Sequence, residues 1–302
     1  MTRPLLYLPR AFPTSEGRLD GYELLGPDDT GRDTEVRAIA LSGPSKVDAA
    51  VMDRFPKLEI VAKFGVGYDS IDVAAAQARG VAVTNTPDVL TEEVADLAVG
   101  LLIATSRQLP QADSYLRAGH WTTKSYPLTR SLRGRRIGIL GLGRIGLAIA
   151  ARLTAMKLEV AYATRTPRDV PYAYHPDALS LAQACDALVV IVPGGAATEG
   201  LVSAKVLDAL GPDGILVNVA RGSVVDETAL IAALASGRLG AAGLDVFEHE
   251  PQVPQALVDL PNTVLLPHVG SATEVTRRMM GDRVLDNLDA WFRGDRVPDQ
   301  VA

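Results

Sequence analysis

The sequence predicts an α/β protein of two domains, each built on a parallel, doubly wound sheet. Three observations carry that prediction. Short apolar runs alternate with helical patterns almost from end to end, as parallel βα units require. A glycine-rich turn, Gly141-Leu142-Gly143-Arg144-Ile145-Gly146, stands between a strand pattern and a helix pattern. At 302 residues the chain is long for one hydrophobic core and sufficient for two.

In chain order, the first third offers strands at 5–8, 36–41, 58–63 and 81–84. Helical patterns fall at 47–54 and 71–79, the second stopped by Gly80. This is a small open sheet of flavodoxin-like character. A long helix follows at 91–106, with Thr91 as its expected N-cap and Glu92 and Glu93 in its first turn. Its centre, 97–104, is apolar nearly all round, which predicts burial between domains rather than on a surface. Regularity breaks over 117–133 at Gly119, Trp121 and Pro127. A second series of strands is expected at 136–140, 159–163, 187–192, 215–219, 241–245 and 263–266. Six strands joined by helices match a Rossmann-type sheet. A last helix is expected from about 273 to 292, before a polar tail.

Composition is that of an ordinary globular protein, with 47% hydrophobic and 22% charged residues. A formal net charge of -6 gives no electrostatic reason to bind nucleic acid or an anionic membrane. The single cysteine, Cys185, excludes an intrachain disulfide and suits a reducing cytosol. It precedes an apolar run, which favours a small buried thiol over a nucleophile. The apolar stretch at 5–8 is too short for a signal peptide, and no run approaches the roughly 20 apolar residues of a membrane span. A cytoplasmic protein is expected.

The glycine turn follows a strand pattern and opens a helix at Arg144, the context that makes its spacing meaningful. Gly141 permits the tight turn and Gly143 lets the backbone approach a pyrophosphate. Gly146 allows helix and strand to touch, and the helix N-terminus faces the phosphates. An NAD site would place an Asp or Glu about 20 residues beyond this turn. This chain instead has Ala163, Thr164, Arg165 and Thr166 there; Glu159 comes too early, and Asp169 lies beyond Pro167. Arg165, helped by Thr164, Thr166 and Arg168, is suited to a 2′-phosphate. NADP(H) is therefore expected ahead of NAD(H).

Three residues carry chemistry in distinctive frames: Arg221 after Asn218-Val219-Ala220, Glu250 in Asp245–Pro251, and His268 after Pro267. Arg221 and His268 each follow a strand pattern, where open α/β sheets place their ligands. A guanidinium can hold a carboxylate with paired hydrogen bonds. An imidazole can protonate a developing alkoxide near neutral pH. Glu250 can fix the imidazole tautomer and stabilise the imidazolium. With a nicotinamide as hydride source, this set suits a dehydrogenase of small 2-oxo or 2-hydroxy acids. His120, His175 and His249 lack a supporting frame and read as surface residues. No metal-ligand spacing and no GxSxG elbow is present.

The frames at 66–87, 141–146, 217–230, 243–251 and 265–273 resemble those of the D-isomer-specific 2-hydroxyacid dehydrogenases. Within that family the likeness is strongest to bacterial glyoxylate/hydroxypyruvate reductases and related hydroxyphenylpyruvate reductases. It extends from about residue 58 to 292. The resemblance implies that Arg221 binds the substrate, Glu250 supports the histidine and His268 is the acid/base. It implies that Asp245 holds the site and tunes its pH response, and that the backbone amides of Val66 and Gly67 receive the substrate carboxylate. It extends the cofactor site beyond Gly141, Gly143, Arg144, Ile145, Gly146 and the Thr164–Thr166 segment. The further members are Val192, Pro193 and Thr198, then Val219, Ala220 and Arg221, and finally Asp245, His268 and Gly270.

The resemblance also implies a cofactor domain inserted in the substrate domain. The expected division is 1–97 for the first part of the substrate domain, 98–283 for the cofactor domain and 284–302 for the returning helix. A homodimer is implied, packed through the long helix and the segment around Trp121. Two departures from the resemblance stand out. Gly194 and Gly195 stand where relatives often carry a bulkier polar or apolar pair, from which looser or reshaped contacts to the cofactor are expected, and no acid stands near Arg165. No regulatory domain is expected after the closing helix, which weighs against the longer phosphoglycerate dehydrogenases. Hydroxyphenylpyruvate reduction, turnover of another D-2-hydroxyacid and phosphoglycerate oxidation stand as the alternative activities. From another class, the same fold can serve as a nicotinamide-sensing corepressor, but no basic patch or disordered tail supports that role.

Overall fold

The structure, a computed structural model, describes residues 3–43 and 45–302. It divides into two units, Met1–Leu90 with Ser271–Ala302, and Thr91–Gly270. The expected divisions at 97/98 and 283/284 would each cut through a continuous helix. By their backbone contacts the units divide at 90/91, where the long helix Thr91–Arg107 begins, and at 270/271, three residues ahead of the final helix, so each helix belongs whole to one unit.

The first unit contains β1 (Leu5–Tyr7), β2 (Glu23–Leu25), β3 (Val36–Leu41), α1 (Ala49–Arg54), β4 (Ile60–Lys63), α2 (Val73–Ala78) and β5 (Ala82–Thr84). The strands pair in the order β2-β1-β3-β4-β5, all parallel. This is the flavodoxin-like order. The four expected strands are present, and β2 is an addition at the edge. Central β3 and β4 are buried along almost their whole length, because parallel strands are covered on both faces. Asp48 and Asp72 cap α1 and α2 by accepting the amides of Val51 and Ala75. Met52, Phe55, Ile39 and Val61 lie in the core between helices and sheet. The final helix, Glu274–Arg293, is capped by Thr273 and closed by Gly294 in a left-handed conformation. The tail then returns to β5, where Val83 pairs with Val301 and Ala302.

The second unit begins with α3 (Thr91–Arg107), α4 (Leu109–Arg117), β6 (Arg136–Leu140), α5 (Arg144–Ala155), β7 (Glu159–Ala163) and β8 (Ala173–His175). It continues with α6 (Ala178–Ala184), β9 (Ala187–Val190), α7 (Ala204–Leu210), β10 (Ile215–Asn218), α8 (Glu227–Ala235), β11 (Ala241–Leu244), α9 (Gln255–Val258) and β12 (Thr263–Leu265). All seven strands are parallel, in the order β12-β11-β10-β9-β6-β7-β8. Six of them reproduce the Rossmann order, with β12 added beyond β11 and the switch point between β6 and β9. The six expected strands are all present; β8 is the strand the pattern did not reveal.

Two expectations for α3 are corrected. Thr91 is its first helical residue rather than a cap preceding it. Burial is one-sided: Val94, Ala95, Ala98, Leu101 and Leu102 are buried, whereas Gly100 is exposed and Val99, Ile103 and Ala104 are half-buried. The helix lies against α5 and the β10–β12 side of the sheet, so only one of its faces is covered there. Arg152 of α5 binds Glu92 and Asp96 along the same contact.

Candidate active site

The glycine turn is explained by what side chains would meet there. Gly141 has φ +101, and a Cβ on it would come within 2.8 Å of the Ile191 carbonyl oxygen. A Cβ on Gly146 would run into the Gly141 carbonyl, so helix α5 can approach β6 only with glycine at that position. Gly143 is different: it faces open space, and as the N-cap residue of α5 it offers no capping side chain. The first turn of α5 is thus left without a side-chain cap. Two glycines are demanded by packing, and the middle one leaves room where a pyrophosphate would lie. The residues present fit a dinucleotide.

At the end of β7, Thr164 Oγ1 donates to the Thr166 carbonyl at 2.6 Å and shapes the loop that presents Arg165. Arg165 is exposed, and among the described residues no ion pair engages it. Arg168 is drawn elsewhere, its Nη1 donating to the Leu142 carbonyl in the glycine turn. Its backbone is fixed by buried Tyr162, whose hydroxyl accepts the Arg168 amide at 2.8 Å and donates to the Arg168 carbonyl at 3.1 Å. The third cofactor loop, after β9, closes through Thr198 Oγ1, which donates to the carbonyls of Pro193 at 2.6 Å and Gly195 at 3.1 Å. Val192 and Pro193 stand at the base of this loop. Gly195 has φ +116 and open space around it.

The chemical residues gather beyond β10, β11 and β12. Asn218 ends β10 fully buried; its Oδ1 accepts the Ala220 amide at 3.0 Å and its Nδ2 donates to the Arg221 carbonyl at 2.9 Å. That pair of bonds folds Val219, Ala220 and Arg221 into the turn that presents the guanidinium. Arg221 Nη1 donates to the Ala220 carbonyl at 2.8 Å. At Gly222 a Cβ would overlap the backbone of Phe247 and Glu248, so the arginine turn and the glutamate loop meet main chain to main chain. Glu227 braces the same loop by accepting the Glu248 amide at 3.2 Å.

Glu250 is held at both oxygens. Oε1 accepts the Phe247 amide at 3.1 Å, and Oε2 lies 2.7 Å from His268 Nδ1. Burial pushes this carboxyl up, but the bond and charge of His268, the Phe247 amide and the charge of Arg221 outweigh it, so the net direction is down. Glu250 therefore stays ionised through the neutral range. With Nδ1 engaged by the carboxylate, Nε2 of His268 is the nitrogen left to meet a substrate.

Asp245 sets the histidine in place. Its carbonyl accepts the His268 amide at 2.9 Å, its Oδ1 accepts Val269 N at 2.7 Å and its Oδ2 accepts Gly270 N at 2.8 Å. Three consecutive amides converge on one residue that is 1% exposed. Burial raises the Asp245 carboxyl, with the two amides opposing. A Cβ on Gly270 would stand 3.1 Å from Asp245 Oδ2, which keeps that position small. His268 itself has φ +54, a left-handed backbone that these contacts maintain.

Arg221, Asp245, Glu250 and His268 are thus brought together in one unit. Val66 and Gly67 belong to the other unit, in the turn after β4. Asn218, Gly222 and Glu227 were not among the residues predicted from sequence. Their signals were a polar residue closing an apolar strand, and a glycine and an acid flanking the arginine turn. His120 and His249 are exposed and His175 is half-buried on edge strand β8, in keeping with their lack of a motif. Burial pushes the Cys185 thiol up to about 12, so it is protonated and inert at neutral pH.

A dinucleotide-binding sheet carrying an imidazole–carboxylate pair and a guanidinium at its carboxyl edge defines a nicotinamide-dependent oxidoreductase. A family model described as the NAD-binding domain of D-isomer-specific 2-hydroxyacid dehydrogenases matches residues 99–270. Hydroxyphenylpyruvate reductase of Plectranthus scutellarioides is 48% identical over 260 residues, covering 86% of this chain and 83% of the relative. Glyoxylate/hydroxypyruvate reductase A of Arabidopsis thaliana is 49% identical over the same shares. A crystal structure of an NADPH-dependent glyoxylate/hydroxypyruvate reductase from Sinorhizobium meliloti, with NADP and malonate, superposes with a TM-score of 0.93. It is 51% identical and covers 100% of this chain and 97% of that one. The chain belongs to the D-isomer-specific 2-hydroxyacid dehydrogenase family.

Proposed function

We propose that this enzyme reduces small 2-oxo acids, glyoxylate and hydroxypyruvate foremost, to 2-hydroxy acids with NADPH. The observation that carries the reading is the 2.7 Å contact of His268 Nδ1 with Glu250, in the same unit as Arg221 and the glycine turn. What the nicotinamide supplies when bound is a hydride for the carbonyl carbon. Arg221 holds the substrate by its carboxylate and carbonyl oxygen, with the Val66 and Gly67 amides as further carboxylate donors. As charge develops on the carbonyl oxygen, His268 gives it the proton from Nε2. Glu250 keeps the ring in the tautomer that needs this geometry and stabilises its charged form.

The named relatives support the substrate class, and the NADP complex of the Sinorhizobium protein supports the choice of cofactor. The chain's own support for NADPH is Arg165 in a loop without a carboxylate at the place where NAD-using sites carry one. A charge-assisted hydrogen bond contributes about 1.5–3 kcal/mol, roughly one to two decades. NADPH is therefore expected to exceed NADH by more than about tenfold in kcat/KM, and Arg165→Ala should erase most of that margin. Following NADPH oxidation across a panel of 2-oxo acids tests both assignments. Equal use of the two cofactors, or a preference surviving in Arg165→Ala, sinks the phosphate assignment. A phenyl-bearing oxo acid outpacing glyoxylate and hydroxypyruvate would favour the second reading, hydroxyphenylpyruvate reduction, which the Plectranthus relative supports. No turnover of any oxo acid would leave a nicotinamide-sensing protein instead.

The same reading includes a homodimer and a cytoplasmic location. Exposed Leu109, Leu116, Trp121 and Leu128 support the first. A lone cysteine supports the second, and among the described residues no helix is long and apolar enough to cross a membrane.

A further inference from the structure

In the first unit, the turn after β4 is held from one side only. Gly65 has φ +137, a backbone state for which glycine is needed. Its amide donates to Thr86 Oγ1 at 3.0 Å, and its carbonyl accepts the Thr86 amide at 3.0 Å. The next carbonyl, of Val66, accepts Asn85 Nδ2 at 2.9 Å. In a trans peptide the N–H points opposite to the C=O of the same plane. Anchoring the Gly65 carbonyl to Thr86 therefore turns the Val66 N–H away from that strand end. Anchoring the Val66 carbonyl to Asn85 does the same for the Gly67 N–H. Neither of these two amides donates to any group among the described residues, and both residues are only half-buried. Two successive N–H groups, unengaged among the described residues and aimed to one side, form a concavity suited to a small carboxylate.

The anchoring residues are themselves fixed. Thr86 is fully buried and Asn85 nearly so. The Asn85 amide donates to the Asp299 carbonyl at 3.3 Å, and its carbonyl accepts Nδ2 of fully buried Asn287 at 3.2 Å. Asn287 also donates to Asp299 Oδ2 at 3.2 Å and accepts the Asp299 amide at 3.0 Å, while Arg283 pairs with Asp299 at 2.6 Å. The final helix and the tail thus hold the asparagine that holds the turn.

We propose that Asn85 and Thr86 are positioning residues that aim the Val66 and Gly67 amides at the substrate carboxylate, with Asn287 and Asp299 fixing Asn85 for that purpose. The inference rests on the reading that these amides receive the carboxylate of a 2-oxo acid. Thr86→Val keeps shape but removes the acceptor for Gly65, and Asn85→Ala removes the donor to Val66. Each should raise KM for glyoxylate and Ki for oxalate by about tenfold to a hundredfold, the worth of a misdirected bond to a charged group. The NADPH dissociation constant and kcat should stay near wild type. Thr86→Ser, which keeps the hydroxyl, should restore KM.

Labelling with carbonyl-13C glycine and 15N valine singles out the Gly65–Val66 amide, which shares the label only with Gly80–Val81. Oxalate titrated into the wild-type enzyme with NADP should shift the Val66 resonance, and in Thr86→Val the shift should require correspondingly more oxalate. A wild-type Val66 amide indifferent to oxalate overturns the carboxylate reading and the inference together. A responsive wild type whose Thr86→Val and Asn85→Ala variants keep a normal KM overturns the inference alone. So does a Thr86→Ser variant as impaired in KM as Thr86→Val, since that would mean packing rather than the hydroxyl matters.

Discussion

His268 carries its ring on a left-handed backbone, a state that costs a non-glycine residue on the order of 1–3 kcal/mol and persists only where its surroundings impose it. Here the imposing contacts are the three amides on Asp245 and the bond to Glu250. The histidine is thus placed for proton transfer before substrate arrives. Replacing it with Ala should lower kcat by about 10² to 10⁴, the usual worth of a positioned general acid, while NADPH binding survives. Glu250→Gln should cost less in kcat but move the imidazolium-dependent limb of the pH profile to lower pH. The sign follows from the charge: removing a carboxylate destabilises the imidazolium, which then loses its proton more readily. Because the Glu250 carboxyl is held below its ordinary range, the wild-type pair should persist on acidification and fail only as pH falls through that depressed value. Kinetic pH profiles of both variants check this; near-normal turnover in His268→Ala, or an upward shift in Glu250→Gln, would contradict it. Arg221, Glu250 and His268 were legible in the sequence because each is a polar residue in a distinctive frame after a strand pattern. Asn218 and Asn85 were not, because a buried asparagine paired to the main chain looks in sequence like any polar residue beside a strand.

At the scale of elements, glycines decide how closely loops and helices approach, and they do so in two opposite ways. Gly222 lies where any Cβ would enter the main chain of Phe247 and Glu248, and main chain cannot move aside as a side-chain tip can. Gly143 lies in open space. Gly222→Ala should therefore lower the thermal midpoint, with a penalty of roughly 1–3 kcal/mol as for other overpacked sites, and depress kcat by displacing Arg221 from Glu250. Its NADPH affinity should hold. Gly143→Ala should behave conversely, keeping the midpoint and losing NADPH affinity, because the added methyl occupies cofactor space alone. Calorimetry and nucleotide titration on the two variants distinguish these outcomes, and identical behaviour would defeat the argument. The same scale shows where sequence patterns reach their limit. Strands β3, β6 and β7 match their sequence-predicted ranges, because buried parallel strands write themselves as apolar runs. Strands β2 and β8 are three-residue edges with exposed positions, so no such run exists. Helix α4 was hidden because Gln108 breaks the chain with φ +51 and none of the helix is buried.

At the scale of the whole molecule, the proposed homodimer rests on large apolar side chains that stand exposed among the described residues. Leu109, Leu116, Trp121 and Leu128 are 50%, 55%, 66% and 101% exposed, and they fall within one short stretch of the second unit. Singly exposed leucines are unremarkable, but four large apolar residues concentrated in one segment are costly to leave in water, at about 25 cal/mol per Å². The adjoining helix α3 keeps Val99, Gly100 and Ile103 only partly covered, so the exposed apolar character continues beyond that segment. A partner of the same kind would cover both, since a two-fold interface brings one patch against itself. Light scattering should therefore give the wild-type protein twice the 32.0 kDa of a single chain. Combining Trp121→Lys with Leu128→Lys places two positive charges on each copy where the partner would pack. Charges at the centre of an interface are left desolvated and, across a two-fold, repel their own symmetry mates. The double variant should fall to the mass of one chain at concentrations where the wild type is dimeric, and its far-ultraviolet circular dichroism should stay unchanged because neither side chain is buried within its own unit. A wild-type protein at single-chain mass throughout the accessible concentration range, or a double variant that stays paired, would show that this segment serves another purpose.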